Sequence, residues 1–266
     1  MTAGERDLNA DRALAVELAA AAGRLQVQRR ATVVVQATKA HANDLVSDVD
    51  QDSERLIVEG LRAEHPGDAL LAEEGSSAAG ESGWRWVIDP LDGTRNYLSA
   101  SGSWSVCIAL LHGDTTRLAV VHDPAADETF SAVRGGGATR DGTPIAASGC
   151  QRLDEAIVGL SFNPSPPTKV RMGELLPTLL PAVGDIRRLP SALCLCYLAA
   201  GRLDGGICMD TKLWDVAAGL LIAEEAGVTL GGTGDRPTPE LVLAATPGVW
   251  PELTALLAQL RTGQVG

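Results

Sequence analysis

The chain has 266 residues, 45% of them hydrophobic, enough for one large domain or two tightly packed halves around a sizeable core. Only 3% are aromatic, so that core must be built from Ala, Val, Leu and Ile. The 34 acidic and 22 basic residues leave a net charge of −12, which argues against a nucleic-acid polymer or an anionic membrane surface as partner but admits a small phosphate ester if bound cations reverse the local sign. The five cysteines (Cys107, Cys150, Cys194, Cys196 and Cys208) are odd in number, include no Cys-x-x-Cys, and read as reduced, partly buried thiols of a cytosolic protein. The stretch Met1 to Asp7 does not read as a signal peptide, and no apolar run approaches a membrane span, so a cytoplasmic protein is expected.

In chain order, an Ala-rich stretch from Asn9 to Arg30 carries Leu14, Leu18, Ala22 and Leu25 at helical spacing and predicts a long helix. A β-branched segment, Ala31 to Ala37, predicts a strand. The polar connector Lys39 to Asp50 follows, with Asp50 placed to cap a second helix that runs to Glu64 and stops at His65-Pro66-Gly67. A short strand from Ala69 to Ala72 ends in Glu73-Glu74-Gly75. Strands are predicted at Ser103 to Leu111, Arg117 to His122 and Thr129 to Val133, and Arg140-Asp141-Gly142-Thr143 is a hairpin signal. Residues 1–150 thus read as an α+β half with a mainly antiparallel sheet.

Residues 151–266 alternate strand and helix. Strands are expected at Ile157 to Phe162, Asp185 to Leu189, Leu203 to Cys208 and Val242 to Ala245. Helices are expected at Val170 to Leu180, Ser191 to Ala200, Leu213 to Ala226 and Pro251 to Leu260, with Pro164, Pro166 and Pro167 in a loop. Such alternation predicts a more parallel sheet.

The chain is organised around Trp86-Val87-Ile88-Asp89-Pro90-Leu91-Asp92-Gly93-Thr94. Three apolar residues drive a buried strand, which then breaks at a proline between two aspartates. Asp-x-x-Asp at a strand end offers two hard anionic oxygens of the kind Mg²⁺ prefers, and Leu91 can add its carbonyl. Gly93 lets the backbone approach a ligand, and the N–H groups of Gly93 and Thr94 can point at a phosphate. The same residues also suit a plain surface turn. Asp50, Glu73, Glu74 and Asp215 likewise fall at element ends. Asp215 suits a charge at a helix N-terminus, and Glu73-Glu74 a solvated acidic pair. Burying such acids together is costly unless cations are present.

Taken together, Glu73-Glu74, Asp89-Pro90-Leu91-Asp92-Gly93-Thr94 and Trp214-Asp215-Val216-Ala217-Ala218-Gly219, in this order, resemble the inositol monophosphatase family, metal-dependent and lithium-sensitive phosphatases. Asp44-Leu45-Val46-Ser47-Asp48-Val49-Asp50 and Ala199-Ala200-Gly201-Arg202-Leu203-Asp204-Gly205 add to a resemblance that covers nearly the whole chain. It implies an α/β (α+β) fold, a layered αβαβα sandwich of the inositol monophosphatase and sugar phosphatase type. It implies Mg²⁺ as cofactor, two to three ions. Glu73, Asp89 and the Leu91 carbonyl would hold the first, and Asp89, Asp92 and Asp215 the second. Asp50 and Thr94 would orient an attacking water that Glu73 helps to activate, and Gly93 and Thr94 would hold phosphate oxygens. Lys39 lies in a loop that reaches the site in relatives, but reads here as solvated. A homodimer is the expected assembly.

Two departures bear on the alcohol half of the substrate. Where relatives that prefer inositol phosphates carry an acid seven positions before Asp215, this chain has Cys208. Gly-Ser-Ala near the substrate becomes Pro190-Ser191-Ala192, a stiffer loop. Ser191, Ala192 and Cys208 are therefore the expected substrate contacts. The reading is a Mg²⁺-dependent phosphomonoesterase acting on a small polyol or sugar phosphate, inositol 1-phosphate in type. The alternatives are 3′-phosphoadenosine 5′-phosphate phosphatase, histidinol-phosphate phosphatase and, in a different class, a non-catalytic sugar-phosphate-binding protein.

Overall fold

The computed structural model describes residues 6–38, 45–99 and 101–261. Helix α1 (Leu8–Arg29) begins at Asp7, whose carboxylate accepts the N–H groups of Asn9 and Ala10 at 3.0 and 3.2 Å. Ala15, Ala19 and Ala22 form its inner stripe and are fully buried. Small side chains there let the helix lie close on its neighbours. At Gly23 the approach is close enough that a Cβ would meet the His122 ring at 2.5 Å.

The predicted strand over Ala31 to Ala37 is shorter than expected. Arg30–Thr32 is a helical turn, and strand β1 (Val35–Thr38) pairs antiparallel with β2 (Leu45–Ser47). Lys39 and Asp44 lie outside the described residues. Helix α2 (Asp48–Glu64) is capped by Ser47 and not by Asp50. Asp50 is the third helical residue and turns back to accept the Ser47 N–H at 3.0 Å, closing a capping box.

Strands β3 (Ala69–Ala72), β4 (Ser77–Ala78), β5 (Trp84–Asp92), β6 (Ser105–His112), β7 (Thr115–Asp123), β8 (Glu128–Val133), β9 (Ala138–Arg140) and β10 (Thr143–Pro144) form one sheet in the order β10-β9-β8-β7-β6-β5-β3-β4. Every neighbouring pair is antiparallel except β3 and β5. The β9–β10 turn places Asp141 and Gly142 at φ 50° and 76°, the left-handed pair that a two-residue hairpin requires. Pro90 does not end β5. The strand continues to Asp92, with its register to β6 shifting between Asp89 and Asp92, so the proline sits in a bulge. A short helix, α3 (Thr94–Leu98), follows.

The second sheet has the order β12-β11-β13-β15-β14, from β11 (Ile157–Phe162), β12 (Asp185–Arg188), β13 (Gly205–Met209), β14 (Thr229–Gly231) and β15 (Leu241–Ala245). Its helices are α4 (Pro166–Leu179), α5 (Ser191–Ala199), α6 (Leu213–Glu225) and α7 (Trp250–Arg261). Prolines read as loop, Pro166 and Pro167, instead open α4, where a missing N–H costs nothing. β11 is parallel to β12 and β13, as alternation predicts, but β15 is antiparallel to both β13 and β14. β15 follows β14 through a loop with no helical crossover, and so returns in the opposite direction.

Alternation along the strands explains the layers. On the first sheet Trp86, Ile88, Ile108, Leu110, Leu118 and Val120 face α1 and α2, packing on Ala15, Ala19, Ile57 and Leu61. The intervening Val87, Cys107, Ala109, Leu111, Ala119 and Val121 face α5 and α6. The other side of those helices meets Cys208, Val242 and Ala244 of the second sheet. The outer face of that sheet packs under α4 and α7 through Val158, Leu160, Met172, Leu175 and Leu253. The result is an αβαβα sandwich in which α5 is buried on nearly every side. Among the described residues no helix is long and apolar enough to cross a membrane.

Because α1 meets the sheet through alanines, Ala19→Leu should lower the unfolding free energy by about 1–3 kcal/mol through overpacking. Urea unfolding reads this directly, and unchanged stability would place the α1 stripe away from the sheet.

Candidate active site

The end of β5, the turn after β3 and the start of α6 meet at one cleft of about 160 Å³, lined by Glu73, Asp89, Asp92 and Asp215. Leu91, Gly93, Thr94 and Ser191 line it as well. Each acid is aimed by local backbone. Asp89 accepts the Leu91 N–H at 3.0 Å across the bulge. One carboxylate oxygen of Asp92 accepts the Ala192 N–H at 2.9 Å, and Asp215 accepts the Lys212 N–H at 2.7 Å in the first turn of α6. Glu73 is hydrogen-bonded to Asp89.

Crowding Asp89, Asp92 and Asp215 together out of water raises their proton affinity. Burial, then the charge of Glu73, Asp92 and Asp215, pushes Asp89 well above the ordinary aspartate range. Burial is also the main cause that raises Asp92 to about 7 and Asp215 to about 8. Among the described residues no three His, Cys, Asp or Glu side chains already close into an ion cage. The fit to a cation rests instead on the donors themselves: hard, buried oxygens whose negative charge needs a counter-charge. That chemistry suits divalent cations such as Mg²⁺.

Beside the acids, the Thr94 hydroxyl lies 3.1 Å from Asp50 and 3.2 Å from the Leu91 carbonyl. Asp50 is 1% exposed and also accepts from the Ser47 hydroxyl. Burial raises it to about 6, while the bonds from Ser47 and Thr94 oppose that rise. With its one proton donated to Asp50, Thr94 keeps oxygen lone pairs to accept from a water. Gly93 has φ 94°, and a Cβ there would meet Pro190 at 2.9 Å. Glycine is required on both counts, conformation and space.

Two expectations need correction. Cys208 is fully buried among Cys194, Val216 and Val242 and does not line the cleft. A thiol is small enough to be enclosed by α5 and α6, so the expected substrate contact does not exist. Along the same strand direction, Asp210 and Thr211 line the cleft instead. Ala192 is also fully buried, and its part is played by its backbone N–H on Asp92. Pro190, beyond stiffening its loop, packs against Gly93.

Sequence reasoning missed two supports. Glu54, 3% exposed, accepts the N–H groups of Glu74 and Ser76 at 2.7 and 2.8 Å and so shapes the turn that presents Glu73. Gln26, fully buried, donates to the Pro90 carbonyl at 2.7 Å and accepts from Trp104 at 2.9 Å, bracing the bulge. Glu54 had a signal: it lies one turn from Asp50 on the apolar face of α2 that carries Ile57, Val58 and Leu61.

The profile of the inositol monophosphatase family matches residues 7–264. The chain belongs to the inositol monophosphatase family. It is a phosphoric monoester hydrolase of that family. An inositol-1-monophosphatase of Mycobacterium bovis is 37% identical over 236 residues, covering 82% of this chain and 80% of its own. The Nus factor SuhB of Vibrio cholerae is 36% identical over 226 residues, covering 81% and 83%. Among solved structures, the extragenic suppressor protein suhB of Bartonella henselae superposes with a TM-score of 0.87 at 31% identity, covering 93% of this chain and 98% of its own.

The raised carboxylates make a prediction for the metal-free protein. Asp50, Asp92 and Asp215 have folded pKa values above the ordinary 3.8. The folded state therefore binds more protons than the unfolded state, and their contribution is fully present below about pH 4 and lost as pH rises through about 6 to 8. In chelator the melting temperature should fall between about pH 5 and 8.5, and added Mg²⁺ should raise it most at the alkaline end. Asp215→Asn should flatten the metal-free profile. A slope that is unchanged in that variant would contradict the buried, protonated cluster.

Proposed function

We propose that this phosphatase is Mg²⁺-dependent, binds two ions with room for a third, and releases phosphate from inositol 1-phosphate or a similar small polyol phosphate. The observation that carries the reading is the cluster of Glu73, Asp89, Asp92 and Asp215 lying beside the Thr94–Asp50 pair. A protein that only bound a sugar phosphate would need the cluster for charge, but would have no use for a threonine hydroxyl oriented by a buried carboxylate.

Glu73, Asp89 and the Leu91 carbonyl would hold one cation, and Asp89, Asp92 and Asp215 the other. Bound there, the cations withdraw charge from the phosphate and make water a stronger nucleophile. The remaining steps belong to the protein. Thr94 donates to Asp50 and accepts a hydrogen bond from the attacking water, which fixes the water's lone pair toward phosphorus. Glu73, at the cleft wall, accepts a proton as the water is consumed. The N–H groups of Gly93 and Thr94 take up phosphate oxygens as charge develops on them.

The catalytic centre would straddle two halves, 1–150 supplying Asp50, Glu73, Asp89, Asp92 and Thr94, and 151–266 supplying Ser191 and Asp215. The strands of the first sheet lie within Ala69–Pro144 and those of the second within Ile157–Ala245, which supports that division. A cytoplasmic homodimer belongs to the same reading and rests on the family membership.

Phosphate release from inositol 1-phosphate should require Mg²⁺ and stop in excess chelator. Asp89→Asn should abolish turnover yet leave the metal-free protein as stable or more stable, because a repelled carboxylate is removed. Thr94→Ala should lower kcat on the order of 10²-fold. Full activity in chelator, or near-normal turnover by Asp89→Asn, would overturn the reading.

A further inference from the structure

Gln26 lies in α1, is fully buried, and has both polar atoms of its side chain engaged. The amide nitrogen donates to the Pro90 carbonyl at 2.7 Å and to the Ser53 hydroxyl at 3.1 Å. The amide oxygen accepts the Trp104 indole N–H at 2.9 Å. An indole N–H can only donate and a backbone carbonyl can only accept, so the amide has one workable orientation, its donors toward Pro90. The backbone carbonyl of Gln26 is held too, by the Tyr97 hydroxyl at 2.8 Å. Tyr97 and Trp104 belong to an apolar cluster with Val49 and Leu91, where packing alone does not call for an amide. Burying one is costly unless each of its polar atoms is bonded.

The bond to Pro90 reaches the carboxylates through a single peptide unit. The Pro90 carbonyl and the Leu91 N–H belong to one planar group and point in opposite directions. Gln26 holds the carbonyl end, and the N–H end donates to the Asp89 carboxylate at 3.0 Å. With the carbonyl fixed, the direction of the N–H is fixed, and one oxygen of Asp89 with it. A bond at the carbonyl also polarises the N–H across the group, which strengthens the second bond. The sheet gives this peptide no such support. The register of β5 to β6 shifts between Asp89 and Asp92, and its pairing with β3 ends at Ile88, so Pro90 and Leu91 lie outside both ladders.

We propose that Gln26 is a positioning residue for the cation centre: by holding the Pro90 carbonyl it orients the peptide that aims Asp89, and so sets the affinity for Mg²⁺ from outside the cleft. The inference rests on the Mg²⁺ reading above and names a residue of another element on which the strength of binding depends. Groups that hydrogen-bond a ligating side chain fix its orientation; here the same influence passes through one peptide more.

The test titrates Mg²⁺ into the metal-free protein by calorimetry, beside initial rates of phosphate release from inositol 1-phosphate over a range of Mg²⁺ concentrations. Gln26→Met keeps the length of the side chain and removes both donors. It should weaken Mg²⁺ binding by about tenfold or more. Most of the lost rate should return at saturating Mg²⁺, so that the effect falls on the Mg²⁺ dependence and not on kcat. Gln26→Leu serves if Gln26→Met does not fold. Trp104→Phe separates positioning from packing, because it cuts a different bond of the same amide and leaves the one to Pro90. It should lower stability in urea yet bind Mg²⁺ as the wild type does. Unchanged Mg²⁺ affinity in the Gln26 variants, or an equal loss in Trp104→Phe, would overturn the proposal and leave the Mg²⁺ reading in place. A wild type that releases phosphate but binds no Mg²⁺ would overturn both.

Discussion

The site depends on one contact above others, between Asp92 at the end of β5 and the first turn of α5. The Ala192 N–H bonds the Asp92 carboxylate at 2.9 Å, and Pro190 presses on Gly93 beside it. α5 lies between the two sheets, so whatever positions α5 positions Asp92. An unpaired N–H at a helix start and an anionic oxygen satisfy each other here. Loss of that contact would release the Asp92 carboxylate from its aim at Asp215, which comes from a different element, α6.

The buried acids strain the fold that carries them. Asp89 is buried and Asp92 and Asp215 half-buried, their charges raise one another's proton affinity, and the packed sandwich holds them together. The supports lie one step back from the cleft. Glu54 uses both oxygens on the turn after β3, and Gln26 uses its amide on the Pro90 bulge. Neither touches the cleft, yet both set where its oxygens point, which is how a second layer of hydrogen bonds tunes a cation site.

Much of this was legible in the sequence, and the failures have physical causes. β3 and β11 run as read, because a short apolar run between turn residues leaves little choice of period. The Asp141-Gly142 turn was legible for the same reason: few residues accept its dihedral angles. Pro90 misled because a proline inside a strand is tolerated only at a bulge, and the brace that stabilises this bulge, Gln26, comes from a helix more than sixty residues earlier. β14 was overlooked because three residues beside a glycine carry no periodicity, and its existence depends on β15. The metal-type acids were legible as a pattern at element ends. Cys208 was misread because spacing along a chain says which residue is present but not which way its side chain turns; the layers of the sandwich decide that.

The burial of α5 on nearly every side also shapes how the molecule assembles. A nine-residue helix with almost no solvent face has little to hold it as an isolated segment. It consolidates only when both sheets are already present to receive it, so its docking is a late, non-local event. Asp92 and the loop at Gly93 reach their working geometry in that same event. Intermediates that have formed one sheet but not the sandwich therefore lack a competent cleft, and chemical competence arrives together with the last layer.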